Sequence, residues 1–353
     1  MGTIKFRMAA RCEAAGRLEN EDNYLPCDDL SKEDWGFTAD NEILLGKYGA
    51  LIVVCDGMGG MNAGEVASAL AVSAIKKHFT DNNLEEVVNS PASIKKFIEK
   101  AIIFADTAVK EESRADSEKA GMGSTIVLAW FVENMVYVGW CGDSRAYRYN
   151  VMDGLVQLSH DHSYVQELVD AGKLSEELAF DHPNNNIITR SLGDPNRTAK
   201  PDIKEFQLRD GDIIMLCTDG LNGVLRDHEM QELIANNSST MTQCRDALWE
   251  ASREAGWNDN VTIGLCQILS GTQKDEAQTQ NLQNTIVPTA SKKFFLSFGI
   301  LILIALLCTT AYFFYPKWFQ TSEKVSQDTG IVESDSLQII SDEIETEPEQ
   351  QPN

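Results

Sequence analysis

Positive charge is scarce in this sequence. Lys and Arg number 30 against 54 Asp and Glu in 353 residues, which gives a formal net charge of −24 at pH 7. Such a surface repels the phosphates of nucleic acids and the headgroups of anionic lipids. We therefore expect no nucleic-acid partner and no membrane binding through general surface charge.

Paired cysteine motifs are absent as well. The eight cysteines are scattered, none forms a Cys-x-x-Cys pair, and several lie inside apolar runs. This pattern favours buried free thiols in a reducing compartment over a disulfide framework or a zinc site. The N-terminal stretch "MGTIKFRMAARCEAAG" has no apolar core of signal-peptide length.

One long apolar run is present near the other end of the chain. The 22 residues "FFLSFGILILIALLCTTAYFFY", 294–315, carry no charge, and lysines and aromatic residues flank them. A helix of this length spans a hydrocarbon core of about 30 Å, and aromatic flanks are typical of membrane interfaces. We predict a transmembrane helix at 294–316.

The predicted span divides the chain into four parts. Residues 1–269 are predicted to form one globular domain, and residues 270–293 a polar linker that leads to the span. Residues 317–353 form an acidic tail that we expect to be disordered, because it combines many carboxylates with few apolar residues.

The globular part contains patterns of both strands and helices. Strand-like runs occur at 49–55, 125–131, 135–141, 145–149, 212–217 and 261–268, and helical patterns at 63–79, 92–113, 163–171, 227–236 and 241–255. The stretch "MVYVGWCGDSRAYRYN", 135–150, is interpreted as a hairpin. The fold class is therefore predicted to be α+β, with antiparallel sheets flanked by helices.

Carboxylates stand at the ends of several strand-like runs. Asp56 and Asp219 each end an apolar run and precede a glycine, Asp22 and Asp259 lie in polar turns, and Asp143 lies in the presumed hairpin turn. An oxygen-only donor set suits Mg²⁺ or Mn²⁺. Any one of these residues could instead cap its own turn, but the five together favour a metal site. Three glycines within four residues of Asp56 indicate close approach by a ligand.

Eight motifs resemble those of the metal-dependent protein phosphatases of the 2C type, in their compact bacterial form. In chain order they are "GRLENEDNY", "DGMGGMNAGEVAS", "GMGSTIV", "VGWCGDSRAYR", "LSHDHSYVQELVDAGKLSEELA", "HPNNNIITRSLGD", "LCTDGL" and "WNDNVTIGL". The resemblance implies a central β-sandwich of two antiparallel sheets with helices outside. It also implies a flap, residues 161–200, beside the cleft.

The resemblance also implies a role for each site residue. Two Mg²⁺ or Mn²⁺ ions would be held by Asp22, Asp56, Asp219, Asp259 and the backbone carbonyl of Gly57. Asp143, with Asp219, would match a weaker third site, and Arg17 would grip the phosphate through its planar fork. The implied catalytic residues are Arg17 and the four aspartates of the metal pair.

The implied reaction is the hydrolysis of phosphoserine and phosphothreonine on cytosolic proteins, serine/threonine kinases among them. A water that bridges two metal ions would attack the phosphorus directly. The covalent route of tyrosine phosphatases is not indicated, because the nearest approximation to Cys-x5-Arg, "CDGMGGM", lacks the arginine. We expect a single-pass protein of the cell membrane with a cytoplasmic catalytic domain.

Three positions depart from the family pattern. Met58 and Met61 stand where eukaryotic and bacterial relatives, respectively, often carry a histidine, and Gly223 stands where another acid is common. These departures leave the general acid unassigned and weaken the third metal site. Two alternatives follow: a catalytically weak pseudophosphatase that binds phosphoproteins, and a hydrolase of small phosphoesters with the same site. Loss of a main carboxylate would mark the first, but all four are present.

Overall fold

Two antiparallel sheets form the centre of the molecule. The computed structural model of the chain describes residues 4–60 and 63–272. Its strands are β1 Lys5–Glu13, β2 Asp22–Cys27, β3 Ile43–Leu44, β4 Ala50–Met58, β5 Gly123–Ser124, β6 Ile126–Val132, β7 Met135–Cys141, β8 Arg145–Asn150, β9 Gly154–Gln157, β10 Asp202–Gln207, β11 Ile213–Cys217 and β12 Val261–Ser270.

The strands divide evenly between the two sheets. The first sheet has the order β3-β1-β12-β11-β8-β9, and the second has the order β10-β7-β6-β4-β2, with the short β5 pairing with the end of β4. Neighbours within each sheet run antiparallel, for example β1 with β12 and β4 with β6. The predicted pair of antiparallel sheets is confirmed.

Helices cover both outer faces of the sandwich. They are α1 Ala63–Asp81, α2 Leu84–Val87, α3 Pro91–Ala115, α4 Tyr164–Asp170, α5 Glu176–Phe180, α6 Asp219–Asn222, α7 Asp227–Asn237 and α8 Met241–Glu254. Local signals set several of their ends. Ser90, for example, accepts a hydrogen bond from the amide of Ser93, and Pro91 occupies the first position of α3, where its missing N–H costs nothing.

The core consists of three apolar layers, because successive residues of a strand point to opposite faces of its sheet. Ile52 and Val54 of β4 face the other sheet, while Val53 and Cys55 pack against α1 and α3. A third layer joins the outer face of the first sheet to α7 and α8. Strands buried on both faces read as continuous apolar runs, which is why β4, β6 and β11 were recognisable in the sequence.

The predicted hairpin at 135–150 is wrong. Strands β7 and β8 belong to different sheets, and residues 142–144 carry the chain across the sandwich. The buried His162 fixes this crossing, because its Nδ1 accepts a hydrogen bond from the amide of Gly142 at 3.1 Å while its Nε2 lies 3.0 Å from Asp202 Oδ2. Asp143 therefore lies at a sheet-to-sheet crossing instead of a hairpin turn.

Some predictions concern residues outside the described ranges. These are the span at 294–316, nearly all of the linker, the acidic tail and Met61. Ser270, which was assigned to the linker, is the last residue of β12. Across residues 4–60 and 63–272, no helix has the length and apolar character needed to cross a membrane. The seven cysteines in the same ranges are all free thiols, and six of them are buried.

Candidate functional site

The predicted carboxylates meet at one edge of the sandwich. Asp22 and Asp56 are direct partners across β2 and β4 of the second sheet. Asp219 begins α6 immediately after β11, and Asp259 shortly precedes β12, both at the first sheet. The strand ends of the two sheets thus bring together aspartates that lie 163 to 237 positions apart in the sequence.

Asp22 joins the two sheets through a single oxygen. Its Oδ2 accepts hydrogen bonds from Thr218 Oγ1 at 2.8 Å and from Thr262 Oγ1 at 2.7 Å. Thr262 lies in β12 of the opposite sheet, and Thr218 directly follows β11 of that sheet. Its other oxygen, Oδ1, is buried and has no hydrogen-bond partner within the described residues. Neither threonine is among the predicted site residues, although each lies next to or near a predicted ligand, in "CTDG" and "NDNVTI".

The glycines after Asp56 and Asp219 allow close contact with the chain itself. A Cβ on Gly57 would lie 2.0 Å from the carbonyl oxygen of Gly64 and 2.6 Å from that of Glu21. A Cβ on Gly220 would lie 1.9 Å from the carbonyl oxygen of Asn260. Each glycine therefore admits the backbone next to another site aspartate, Asp22 or Asp259. This close approach of backbone is a second reason for glycine at these positions, beside the ligand approach that the sequence predicts.

A second network ties Asp56 to the crossing that carries Asp143. The Asp56 amide donates to Thr125 Oγ1 at 3.0 Å, and Thr125 Oγ1 lies 2.7 Å from Ser144 Oγ. The Thr125 amide donates in return to the Asp56 carbonyl at 2.8 Å. Main-chain atoms of Asp56 are thus satisfied by protein groups, which leaves its carboxylate to face the other aspartates.

The carboxylates repel one another strongly. Burial, and then the charges of Asp219 and Asp259, raise the pKa of Asp22 to about 7, although its two threonine donors act in the opposite direction. Burial and the neighbouring carboxylates also raise the pKa of Asp56 and of Asp143 well above the ordinary value. The pKa of Asp219 rises for the same reasons, first burial and then Asp259. Such a group of shifted carboxylates is typical of a functional site.

The donor set fits a hard divalent cation. Asp219 Oδ1, like Asp22 Oδ1, is buried without a hydrogen-bond partner in the described part of the chain. No three His, Cys, Asp or Glu side chains among residues 4–60 and 63–272 are grouped so that they could hold a metal ion on their own. Mg²⁺ commonly takes only one or two carboxylates and keeps several waters. A hydrated cation therefore suits the cluster better than a closed protein cage.

Arg17 lies at the rim of the cluster and is about half exposed. Its Nη2 donates to Asp259 Oδ2 at 2.8 Å, and its Nε donates to the carbonyl of Asn258 at 2.9 Å. The guanidinium thus lies beside one of the predicted metal ligands. It is, however, bound to a predicted metal ligand in this structure.

A cavity of about 1040 Å³ opens beside the carboxylates. Asp143 and Asp219 line its inner end, and residues of the flap (161–200) line one wall. The flap contains α4 and α5 and is anchored at its far end by the buried Asp106, which accepts hydrogen bonds from the amides of Gly193 and Ala199. His160 and His162 are both hydrogen-bonded to aspartates. His160 Nε2 lies 2.9 Å from Asp170 Oδ2.

The sandwich and its edge cluster define a recognisable class of protein. Residues 20–262 match the family model described as protein phosphatase 2C. The chain belongs to the protein phosphatase 2C family. It is 30% identical over 217 residues to the serine/threonine phosphatase stp of Listeria innocua, a match that covers 62% of this chain and 84% of the relative.

Solved structures agree with this assignment. The serine/threonine phosphatase Stp1 of Staphylococcus aureus superposes with a TM-score of 0.64 at 29% identity, over 74% of this chain and 95% of that one. The catalytic domain of the phosphatase PstP, solved in complex with two manganese ions, superposes with a TM-score of 0.61 at 26% identity, over 76% of this chain and all of that one.

The shifted pKa values predict how pH affects the metal-free protein. Because the folded state raises the pKa of Asp22 from 3.8 to about 7, it binds this proton more tightly than the unfolded chain does. The resulting stabilisation is complete below the unfolded pKa and is lost as the pH rises through the folded pKa. We expect the melting temperature in chelator to fall between about pH 4 and pH 7. Added Mn²⁺ should raise it most at the upper end of this range.

Asp22→Asn is the matched control for this measurement. An amide keeps an acceptor for the two threonine hydroxyls and removes the charge, so the variant should lose the part of the pH dependence that Asp22 contributes and much of the shift with Mn²⁺. The raised pKa values of the neighbouring aspartates leave the remaining dependence. Equal pH profiles for the two proteins in chelator would contradict the assignment.

Proposed function

We propose that the chain is a membrane-anchored, metal-dependent protein phosphatase that hydrolyses phosphoserine and phosphothreonine on cytosolic proteins. The activity class, serine/threonine phosphatase of the 2C type, follows from the family and from the names of the relatives. The observation that carries the proposal is the cluster of mutually repelling carboxylates, with two unpartnered buried oxygens, two of whose members, Asp143 and Asp219, line a large cavity.

Hydrolysis of a phosphoester requires neutralisation of a dianion and a nucleophile at neutral pH. When bound, a pair of Mg²⁺ or Mn²⁺ ions supplies both. The residues that would hold them are Asp22, Asp56, Asp219, Asp259 and the carbonyl of Gly57. Two manganese ions in the solved PstP domain support the number of ions proposed. A third ion would use Asp143 and Asp219, which line the same cavity.

The protein itself supplies rigid placement. Thr218 and Thr262 hold one oxygen of Asp22, so that the other points to the cluster with its orientation fixed. Met58 ends β4 and pairs with Gly123 of β5, which leaves no titratable group at the position of the eukaryotic histidine. We propose that solvent water protonates the departing serine or threonine oxygen.

The cavity favours polypeptide substrates over small phosphoesters. Its volume of about 1040 Å³ lies at the upper end of the range for small-molecule sites. A phosphorylated side chain fills only part of it, and the remainder can take neighbouring residues of a protein substrate.

The carboxylate cluster predicts a strong dependence on Asp56 and Asp219. Replacing either by Asn removes a charge that would balance the metal pair, and we expect kcat on a phosphothreonine peptide to fall by more than about 100-fold. Asp212→Asn is a matched control, because Asp212 is fully buried at the opposite end of β11. Full activity of Asp219→Asn in Mn²⁺ would contradict the role proposed for Asp219. An equal loss of activity in Asp219→Asn and in the control Asp212→Asn would contradict it as well.

Arg17 can either bind the phosphate or merely hold Asp259. A charge-assisted bidentate contact contributes about 1.5–3 kcal/mol, so Arg17→Ala should raise KM for phosphopeptide by roughly 10- to 150-fold. Metal titrations on the same variant distinguish the two roles. A large loss of Mn²⁺ affinity with an unchanged KM would assign Arg17 to the positioning of Asp259. Arg17→Lys should recover only part of the KM effect, since lysine lacks the planar fork.

The membrane part of the proposal rests on the apolar run at 294–316. The free thiols of the described domain favour a reducing cytosol, and the substrates proposed, including serine/threonine kinases, are cytosolic. We propose that the domain before residue 290 is cytoplasmic and that residues beyond 317 lie across the membrane.

Truncation and protease protection test this arrangement. A chain that ends after Thr272 should be soluble and active, because β12 ends at Ser270 and no proposed ligand follows Asp259. Protease added outside intact cells should remove only the acidic tail of the full-length protein. Digestion of the catalytic domain in the same cells would reverse the orientation.

A further inference from the structure

The flap forms one wall of the cavity, and this wall carries more negative charge than nearby basic residues neutralise. Both arginines of the lining are already paired. Arg145 donates to both oxygens of Asp161 at 2.7–3.0 Å. Arg226 forms an ion pair with Asp181 at 2.6 Å, and its guanidinium lies 4.2 Å from the centre of the Phe180 ring. Little positive charge is therefore left to attract an anion into this part of the cavity.

Two glutamates of the flap are unpaired. Glu176 and Glu177 form the first turn of α5, which is capped by the side chain of Ser175, and both line the cavity. They are exposed, and no side chain in the described ranges forms an ion pair or hydrogen bond with either of them. Their carboxylates are free to accept a partner from solvent or from a substrate.

Unpartnered carboxylates continue to the inner end of the same cavity. Asp143 is only 7% exposed, and among residues 4–60 and 63–272 no other residue donates a hydrogen bond to its carboxylate. Asp219 Oδ1 is buried and equally without a partner. The cavity thus runs from two free glutamates at the flap to buried acceptors at the carboxylate cluster.

We infer that this cavity selects phosphoproteins with lysine or arginine close to the phosphorylated serine or threonine, through Glu176 and Glu177. The inference rests on the proposed phosphatase function, since the phosphoryl group must first occupy the carboxylate cluster and its metal ions. Residues adjacent to the phosphorylated one then enter the cavity, where cations meet free carboxylates and acidic residues meet like charge.

The overall charge of the protein makes such selection useful. A chain with a formal net charge of −24 repels anionic substrates at long range. Basic residues beside the phosphate offset this repulsion. An exposed ion pair changes affinity by about fivefold at most, so two glutamates can supply a preference of about 3- to 25-fold.

Phosphothreonine peptides of equal length test the inference. Three peptides carry two lysines, two glutamines or two glutamates beside the phosphothreonine, and p-nitrophenyl phosphate reports on the chemistry alone. The full-length protein with Mn²⁺ should show kcat/KM about 3- to 25-fold higher for the lysine peptide than for the glutamine peptide, and lower still for the glutamate peptide. Raising the salt concentration should reduce the preference.

The double variant Glu176→Gln, Glu177→Gln should remove most of the difference between the lysine and glutamine peptides, leaving only the weaker long-range effect of the net charge. It should leave p-nitrophenyl phosphate hydrolysis unchanged. The control is Glu85→Gln, Glu86→Gln, which alters an acidic pair in the first turn of α2, another short capped helix whose glutamates do not line the cavity. It should keep the wild-type preference.

Two results would overturn the inference: equal kcat/KM for all three peptides with the wild-type protein, or an unchanged preference in the flap variant. Failure of the phosphatase function would appear differently, as no phosphate release from any substrate. In that case, fluorescence anisotropy of labelled peptides still tests the charge preference, because it measures binding without catalysis. Tighter binding of the lysine peptide by the wild-type protein than by the flap variant supports the cavity's role, and equal binding overturns it.

Discussion

The carboxylate of Asp22 is the group on which both the sandwich and its site depend. It belongs to one sheet, and one of its oxygens is held by two threonine hydroxyls at the strand ends of the other. Burying this charge is costly, and the two hydrogen bonds offset only part of that cost, because burial still raises the pKa of Asp22 to about 7. The remaining repulsion makes the site a strong acceptor for divalent cations, which are the natural counterions of such a cluster.

Much of the sandwich could be predicted because β4, β6 and β11 are buried on both faces and read as apolar runs. Strand β2 was missed, since its half-buried residues include proline and asparagine. The pairing of β7 with β8 was mispredicted for a different reason. Whether adjacent strands pair or change sheets depends here on the imidazole of His162, which binds the backbone 20 residues earlier, and no local pattern contains that information.

The site shows the same division between local and long-range information. Aspartates beside glycines are visible in any short window, so all of the carboxylates at the sandwich edge were named from the sequence. Thr218 and Thr262 act on Asp22 across 196 and 240 positions, and hydroxyl residues in strands have many ordinary uses. Only the fold distinguishes these two threonines from the other hydroxyl residues of the chain. Pairing of Arg17 with Asp259 likewise depends on segments from opposite ends of the domain.

The glycines beside Asp56 and Asp219 have a consequence for how much the site can vary. Both are in contact with backbone carbonyl groups, so close contacts of the main chain, together with the threonine hydrogen bonds, set the spacing between the segments that carry the carboxylates. A side chain at either position would push these segments apart, whatever apolar residues pack around them. The cost of an exchange at Gly57 or Gly220 would therefore fall on the spacing of the carboxylates as well as on the stability of the fold.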